Sequence, residues 1–141
     1  MQSKGSATWK GGFKDGRGTI STASGALEAE GYSVGSRFEG DKGTSPEELI
    51  AAAHAACFSM ALSLLLGKAG MDPDSIETSA TVTLEKIGDG FEITSSHLDV
   101  SARIPGADNA RFLEVAKQAE QGCPVSKVLK ARIGMDARLV D

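Results

Sequence analysis

Residues 78–87 alternate between apolar and polar. Ala80, Val82 and Leu84 fall on one face and Thr81, Thr83 and Glu85 on the other. A period of two predicts a strand with one buried face. Gly88-Asp89-Gly90 is a tight connection, and 91–104 continues as the second strand of a hairpin. Residues 49–66 follow a different rule: they are apolar nearly all round, interrupted by His54, Ser59 and Ser63, which predicts a helix buried in a core or an interface. Ser45-Pro46-Glu47-Glu48 marks its start, with an N-cap Ser, Pro at the first helical position and Glu at the third. That is a capping box with an acidic first turn suited to the helix dipole. Gly67 or Gly70 can end the helix, and Met71-Asp72-Pro73-Asp74 makes a turn.

Further along, Asp108 or Asn109 caps a helix whose apolar stripe includes Phe112, Val115, Ala116 and Ala119. Gly122 closes it, Cys123-Pro124 opens a short helix through Leu129, and 132–140 alternates as a final strand. Residues 3–40 are Gly-rich, with short β-type runs at 7–9 and 18–22 separated by Gly11-Gly12 and Asp15-Gly16. They predict two or three short strands. The order is β-hairpins, buried helix, β-hairpin, helix, short helix, strand. Such segregated runs indicate α+β rather than a wound parallel sheet. No internal repeat or long linker divides the chain.

Composition narrows the function. At 141 residues the chain has the length of one domain. Its net charge of −4 leaves no basic footprint for nucleic acid. The apolar stretch at 49–66 has nearly the length needed to span a bilayer, but its polar breaks and capped start favour a core helix over a membrane segment. The opening Met1-Gln2-Ser3-Lys4-Gly5 runs into polar sequence without the pattern of a signal peptide. The chain is therefore expected to be cytoplasmic, where two thiols stay reduced unless they do redox chemistry.

Those two thiols are Cys57 and Cys123, 66 positions apart. The gap excludes a CxxC-type metal site, and two cysteines are too few for a disulfide scaffold. Cys57 lies mid-helix, where a free cysteine often packs as a small hydrophobe. Cys123 stands between a helix-ending Gly and a helix-starting Pro, where exposed N–H groups favour a thiolate. A nucleophilic Cys57 would need a cation, because a thiol with a pKa near 8.5 is only a few per cent ionised at neutral pH. Arg37, Arg17, Lys42 and His54 are the candidates. His54 is three residues from Cys57 on the same helix face, so a Cys–His pair is geometrically allowed, although a lone His on an apolar helix is more often packed and hydrogen-bonded.

The run Arg37-Phe38-Glu39-Gly40-Asp41-Lys42-Gly43-Thr44-Ser45-Pro46-Glu47-Glu48-Leu49, continued through Ala53-His54-Ala55-Ala56-Cys57-Phe58-Ser59-Met60, closely resembles the osmotically inducible protein C (OsmC) family, and so does Gly122-Cys123-Pro124-Val125-Ser126. The likeness extends over essentially all 141 residues as a single OsmC-like domain. It implies an α+β fold with antiparallel sheets wrapped around a long buried central helix, in an intertwined homodimer. It also implies the activity of the similar organic hydroperoxide resistance (Ohr) proteins, thiol-dependent reduction of organic hydroperoxides to alcohols, with no metal or organic cofactor. By motif, Cys57 is the peroxidatic cysteine, Cys123 the resolving one, and Glu47 the carboxylate that orients the activating arginine. The OsmC branch carries that arginine in the Arg-Phe-Glu stretch, which matches Arg37. The Ohr branch carries it in an N-terminal Gly-rich turn whose counterpart is near Arg17, but Lys14-Asp15-Gly16-Arg17-Gly18 matches that turn poorly. The resemblance therefore implies Arg37.

The implied partners are an organic hydroperoxide, a dithiol reductant of lipoyl type and a second copy of the chain, with neither nucleic acid nor membrane. An apolar pocket lined by residues such as Phe58, Met60 and Leu62 would favour alkyl hydroperoxides over H₂O₂. Glu47 and Cys57 are ten residues apart, about 15 Å along a straight helix, so Glu47 or Arg37 is expected to reach Cys57 across the dimer interface. The competing readings are a dithiol–disulfide oxidoreductase, disfavoured by the lack of CxxC, and a non-enzymatic stress-related binding domain whose cysteines only pack.

Overall fold

The first three strands, β1 (Gly5–Lys10), β2 (Arg17–Thr22) and β3 (Glu30–Tyr32), form an antiparallel sheet in the order β1-β2-β3. The computed structural model describes all 141 residues, and its contacts group them into two units, Met1–Leu49 and Ile50–Asp141. The first unit also holds a five-residue helix that the sequence pattern does not announce, α1 (Val34–Phe38). Ser33 and Ser36 cap it reciprocally: Ser36 N–H donates to Ser33 Oγ at 3.0 Å and Ser33 N–H to Ser36 Oγ at 2.8 Å. A serine in place of the usual Glu or Gln hides this capping box from a motif search. Every residue of β1 is exposed, as are Phe13 and Phe38, and no apolar side chain of this unit is fully buried within one chain.

The long helix α2 (Pro46–Lys68) starts where the capping signal places it. Glu48 N–H donates to Ser45 Oγ at 3.1 Å, but the Glu48 carboxylate accepts from the Thr44 hydroxyl at 2.7 Å. The box is thus half formed. At the other end Gly70, not Gly67, closes the helix. It adopts φ +75°, the Gly70 N–H donates to the Gly67 carbonyl, and the Met71 N–H returns to the Leu66 carbonyl at 2.9 Å. These two bonds satisfy carbonyls that a helix end otherwise orphans. Because a side chain in left-handed backbone is strained, Gly70→Ala is expected to cost about 1–2 kcal/mol in a urea unfolding titration.

In the second unit, β4 (Ser75–Ile87) begins three residues before the predicted 78. It pairs antiparallel with β5 (Gly90–Arg103), with a register shift at Thr83/Leu84. The chain continues through α3 (Asn109–Gly122), capped by Asp108, and α4 (Pro124–Val128) to β6 (Arg132–Val140). β6 lies parallel to β5, so this sheet is mixed rather than wholly antiparallel. The physical reason is the connection: a crossover through two helices returns the chain to the end of the sheet from which β5 began, as parallel pairing requires.

The core belongs to this second unit. Phe58, Leu62 and Leu66 of α2 pack with Leu98, Val100 and Ala102 of β5 and with Phe112, Val115, Ala116 and Ala119 of α3. Their zero or near-zero exposure is worth about 1.5–3 kcal/mol for each large side chain. α2 is long and apolar enough, by length and composition, to cross a membrane. Within one chain, however, it buries only the single stripe His54, Phe58, Leu62 and Leu66, spaced four apart. Met60 and Leu64 remain 75% and 60% exposed. An all-round apolar helix with one covered stripe leaves a second apolar stripe without a partner.

Candidate active site

Cys57 sits on α2, one residue before the core residue Phe58, and is half-buried; Cys123 occupies the hinge between α3 and α4 and is fully buried. The fold brings these two thiols, far apart in sequence, into one packed cluster, near enough for each to shift the other's pKa. Their environments differ. Burial pushes the Cys57 thiol up, the neighbouring Cys123 adds to that rise, and a single backbone N–H, from Val125, opposes it. Burial also acts on Cys123, but there it is outweighed by the Ser126 N–H, the Cys57 thiol, the Ser126 hydroxyl and the Val125 N–H, so its thiol lies below the ordinary range. The sulfur of Cys123 does not form a side-chain cap on α4. The first N–H groups of that helix lower the thiol without closing a cap on it.

His54 does not pair with Cys57. Its Nδ1 lies 2.7 Å from Ser96 Oγ on β5 and its Nε2 2.8 Å from Ser126 Oγ on α4. Both ring nitrogens are occupied. Burial lowers its pKa, against an opposing pull from Glu120. Neither serine stands out as a site residue in the sequence. Ser96 does carry a signal, since it falls in phase with the apolar positions Leu98, Val100 and Ala102 and is therefore polar on a buried face.

In the first unit, the Arg37 guanidinium clasps the Glu47 carboxylate in a two-pronged ion pair. Nη2 donates to Oε1 at 2.6 Å and Nε to Oε2 at 3.1 Å. The hydrogen bond to Glu47 is the main reason the Arg37 pKa is raised. Burial alone would raise the Glu47 carboxyl, but the Arg37 hydrogen bond and charge, with a backbone hydrogen bond, hold it below the usual carboxylate range. Arg37 also lies over the Phe38 ring, 5.1 Å from its centroid. Planar guanidinium chemistry suits such a clasp, since it fixes the side chain while leaving N–H donors available. Arg17, the other arginine of interest, instead donates from Nη1 to the Gly16 carbonyl at 2.9 Å. It lines a separate polar cavity with Lys14, Glu39 and Asp41.

An apolar cavity of about 320 Å³ opens beside Arg37, lined chiefly by Trp9, Phe13, Tyr32, Val34, Phe38 and Pro46. Of the residues expected to line a pocket, Phe58 and Leu62 are sealed in the core and cannot do so, while Met60 projects to the surface. Helical spacing places Phe58 and Leu62 on the stripe facing β5, so they cannot also face a ligand. Four of the seven aromatic residues of this aromatic-poor chain converge on the cavity instead. The Trp9 and Tyr32 rings pack 5.4 Å apart. Tyr32 lies so close over Gly18 that any side chain at that position would meet its ring.

Two free thiols gathered into one cluster of an α+β scaffold, one of them shifted toward the thiolate, are the makings of a thiol-based redox protein. The chain belongs to the OsmC family: the family model for OsmC-like proteins matches residues 39–137. It is 53% identical to peroxiredoxin OsmC of Escherichia coli over 139 residues, covering 99% of this chain and 97% of that protein. It is 30% identical to an organic hydroperoxide resistance protein of Xanthomonas axonopodis pv. citri, over 71% of this chain and 69% of that one. The crystal structure of the organic hydroperoxide resistance protein OhrB of Bacillus subtilis superposes with a TM-score of 0.72 at 25% identity, covering 98% of each chain.

Proposed function

We propose that this chain is a thiol-dependent peroxidase that reduces organic hydroperoxides to alcohols in stress defence, with Cys57 as the attacking thiol and Cys123 as the resolving one. The observation that carries the assignment is the gathering of these two thiols, 66 positions apart in sequence, into one packed cluster. The Cys57 thiolate attacks the outer peroxide oxygen. The O–O bond breaks, the alkoxide leaves and takes a proton as alcohol, and Cys57 becomes a sulfenic acid. Cys123 then condenses with it, forming the S–S bond and releasing water. An external dithiol, of lipoyl type, reduces that disulfide by exchange and is itself oxidised.

Activation of Cys57 falls to Arg37, held by Glu47. Within its own unit the Cys57 thiol is pushed up rather than down, so it needs a cation from elsewhere. The ten-residue offset along α2 puts Glu47 about 15 Å from the Cys57 position. We infer a homodimer in which each chain offers its Arg37–Glu47 pair to the other's Cys57. The bare stripe of α2 at Met60 and Leu64 and the uncovered strand β1 support a second copy as their partner. On this reading the whole chain, 1–141, acts as one functional domain. The cytoplasm, which keeps paired thiols reduced, is its compartment. The aromatic cavity beside Arg37 takes the alkyl or aryl part of the peroxide, gaining roughly 0.8 kcal/mol per buried CH₂.

A direct assay tests this. Purified reduced protein, given one equivalent of cumene hydroperoxide, is expected to lose both thiols, and with a dithiol present to turn over faster on cumene hydroperoxide than on H₂O₂. Light scattering is expected to give twice the 14.6 kDa mass of the chain. Thiols that survive the hydroperoxide would leave the cysteines with a packing role. Activity toward protein disulfides without peroxide consumption would favour the oxidoreductase reading.

A further inference from the structure

His54 has no task in the chemistry above, yet it is a fully buried imidazole whose two nitrogens are held by hydroxyls from two other elements, Ser96 on β5 and Ser126 on α4. A buried polar ring persists only where its hydrogen-bonding groups are satisfied, and satisfying this one leaves little freedom. A serine hydroxyl has a single hydrogen to give. Ser126 is the third residue of α4, one turn on from Cys123 at its N-cap, so its hydroxyl is within reach of that sulfur, and it favours the Cys123 thiolate as a donor would. Its oxygen must then accept from His54, which places the imidazole proton on Nε2. A neutral ring protonated at Nε2 has a bare Nδ1, and that atom accepts the Ser96 hydroxyl. One hydrogen pattern therefore satisfies Ser96, His54, Ser126 and Cys123 together. The charged group facing the ring is Glu120 of α3, itself gripped by Lys117 at 2.8 Å. The nearby thiols are Cys123, through Ser126, and Cys57 beyond it.

We propose that His54 and Ser126 are positioning residues for Cys123: the chain of hydrogen bonds Ser96–His54–Ser126 keeps the Ser126 O–H directed at the Cys123 sulfur and so readies that thiol for attack on the oxidised Cys57. The inference rests on the peroxidase reading, in which Cys123 closes the disulfide. In that step the Cys123 sulfur bonds to the Cys57 sulfur. The S–O bond of the sulfenic acid breaks, and the hydroxyl leaves as water with the proton that Cys123 gave up. Burial lowers the His54 pKa and so favours the neutral ring that this pattern needs.

Ser126 is half-buried and lies in a short helix, so its substitution leaves the apolar core side chains in place. In a Cys57→Ser background, ultraviolet thiolate absorbance reads Cys123 alone. There Ser126→Ala is expected to move the titration up by about one pH unit, the loss of one hydrogen bond to a charged sulfur. In the otherwise native chain, Ser126→Ala is expected to slow single-turnover disulfide formation about tenfold at neutral pH, with the initial consumption of hydroperoxide unchanged. Ser126→Thr, which keeps the hydroxyl, is expected to restore both. Nitrogen NMR of the imidazole is expected to show His54 neutral and protonated at Nε2. An unmoved Cys123 titration in Ser126→Ala, or a proton on Nδ1, would overturn the proposal. If the native protein consumes no hydroperoxide, the peroxidase reading falls, while the titration and the NMR still decide whether Ser126 and His54 govern Cys123.

Discussion

Cys57→Ser is expected to abolish hydroperoxide turnover, with a loss on the order of a thousandfold or more. A serine hydroxyl at this site has no nearby base, because the one neighbouring imidazole, His54, has both nitrogens engaged by Ser96 and Ser126. It also cannot form a sulfenic acid, so no later step can begin. Cys123→Ser should behave differently: one equivalent of peroxide is consumed and the reaction then stops, with Cys57 trapped as sulfenic acid and open to further oxidation. Stopped-flow consumption of cumene hydroperoxide, with the oxidised products identified by mass spectrometry, separates the two. Retention of steady turnover by Cys57→Ser would remove Cys57 from the mechanism and turn attention to Cys123, the thiol that its own surroundings favour as the anion.

The second large effect is expected from Arg37. Within its unit nothing cationic acts on Cys57, and burial lifts its thiol above the ordinary range, so at neutral pH less of it is ionised than of a free thiol. If Arg37 supplies the missing charge, Arg37→Ala should lower peroxidase activity at pH 7 on the order of a hundredfold. The sign of the pH dependence identifies the cause. A thiol freed from its cation ionises only at higher pH, so activity of the variant should climb about tenfold per unit as pH rises, while the native protein stays flat over that range. Arg17→Ala, measured beside it, should change little, since that guanidinium is tied to the Gly16 carbonyl. The opposite ranking would assign activation to Arg17. The Glu47 clasp has its own window. A carboxyl held below its ordinary value stays ionised above it, so the pair persists at neutral pH and is lost only as pH falls below the usual carboxylate range.

Much of the molecule was legible in the chain itself. The alternation at 78–87, the Ser45-Pro46 start, the Asp108 cap and the Phe112–Ala119 stripe depend on forces between residues a few positions apart, and each element they announce is present. The motif at Pro46-Glu47-Glu48 likewise falls where Glu47 meets Arg37. What misled was the same locality. An apolar residue near a cysteine reads as a pocket wall, yet helical phase sends Phe58 and Leu62 into the core and leaves the cavity to aromatics drawn from β1, β3, α1 and the loop before β2. The small helix α1 went unread because serines, rather than an acidic residue, cap it.

By itself, then, the sequence determined an acidic α+β chain with two separated thiols and one helix too apolar to stand bare in water, because periodicity, capping and composition are written in short stretches. Tertiary structure alone decided the rest. It set β6 parallel to β5, gathered Cys57 and Cys123 into one packed cluster, and joined His54 to Ser96 and Ser126 from strands and helices 42 and 72 positions away. Those outcomes hang on which faces pack against which, and burial at long range, not local pattern, selects the packing. Burial raises both thiols, and only at Cys123 do a few well-placed N–H and O–H groups outweigh it.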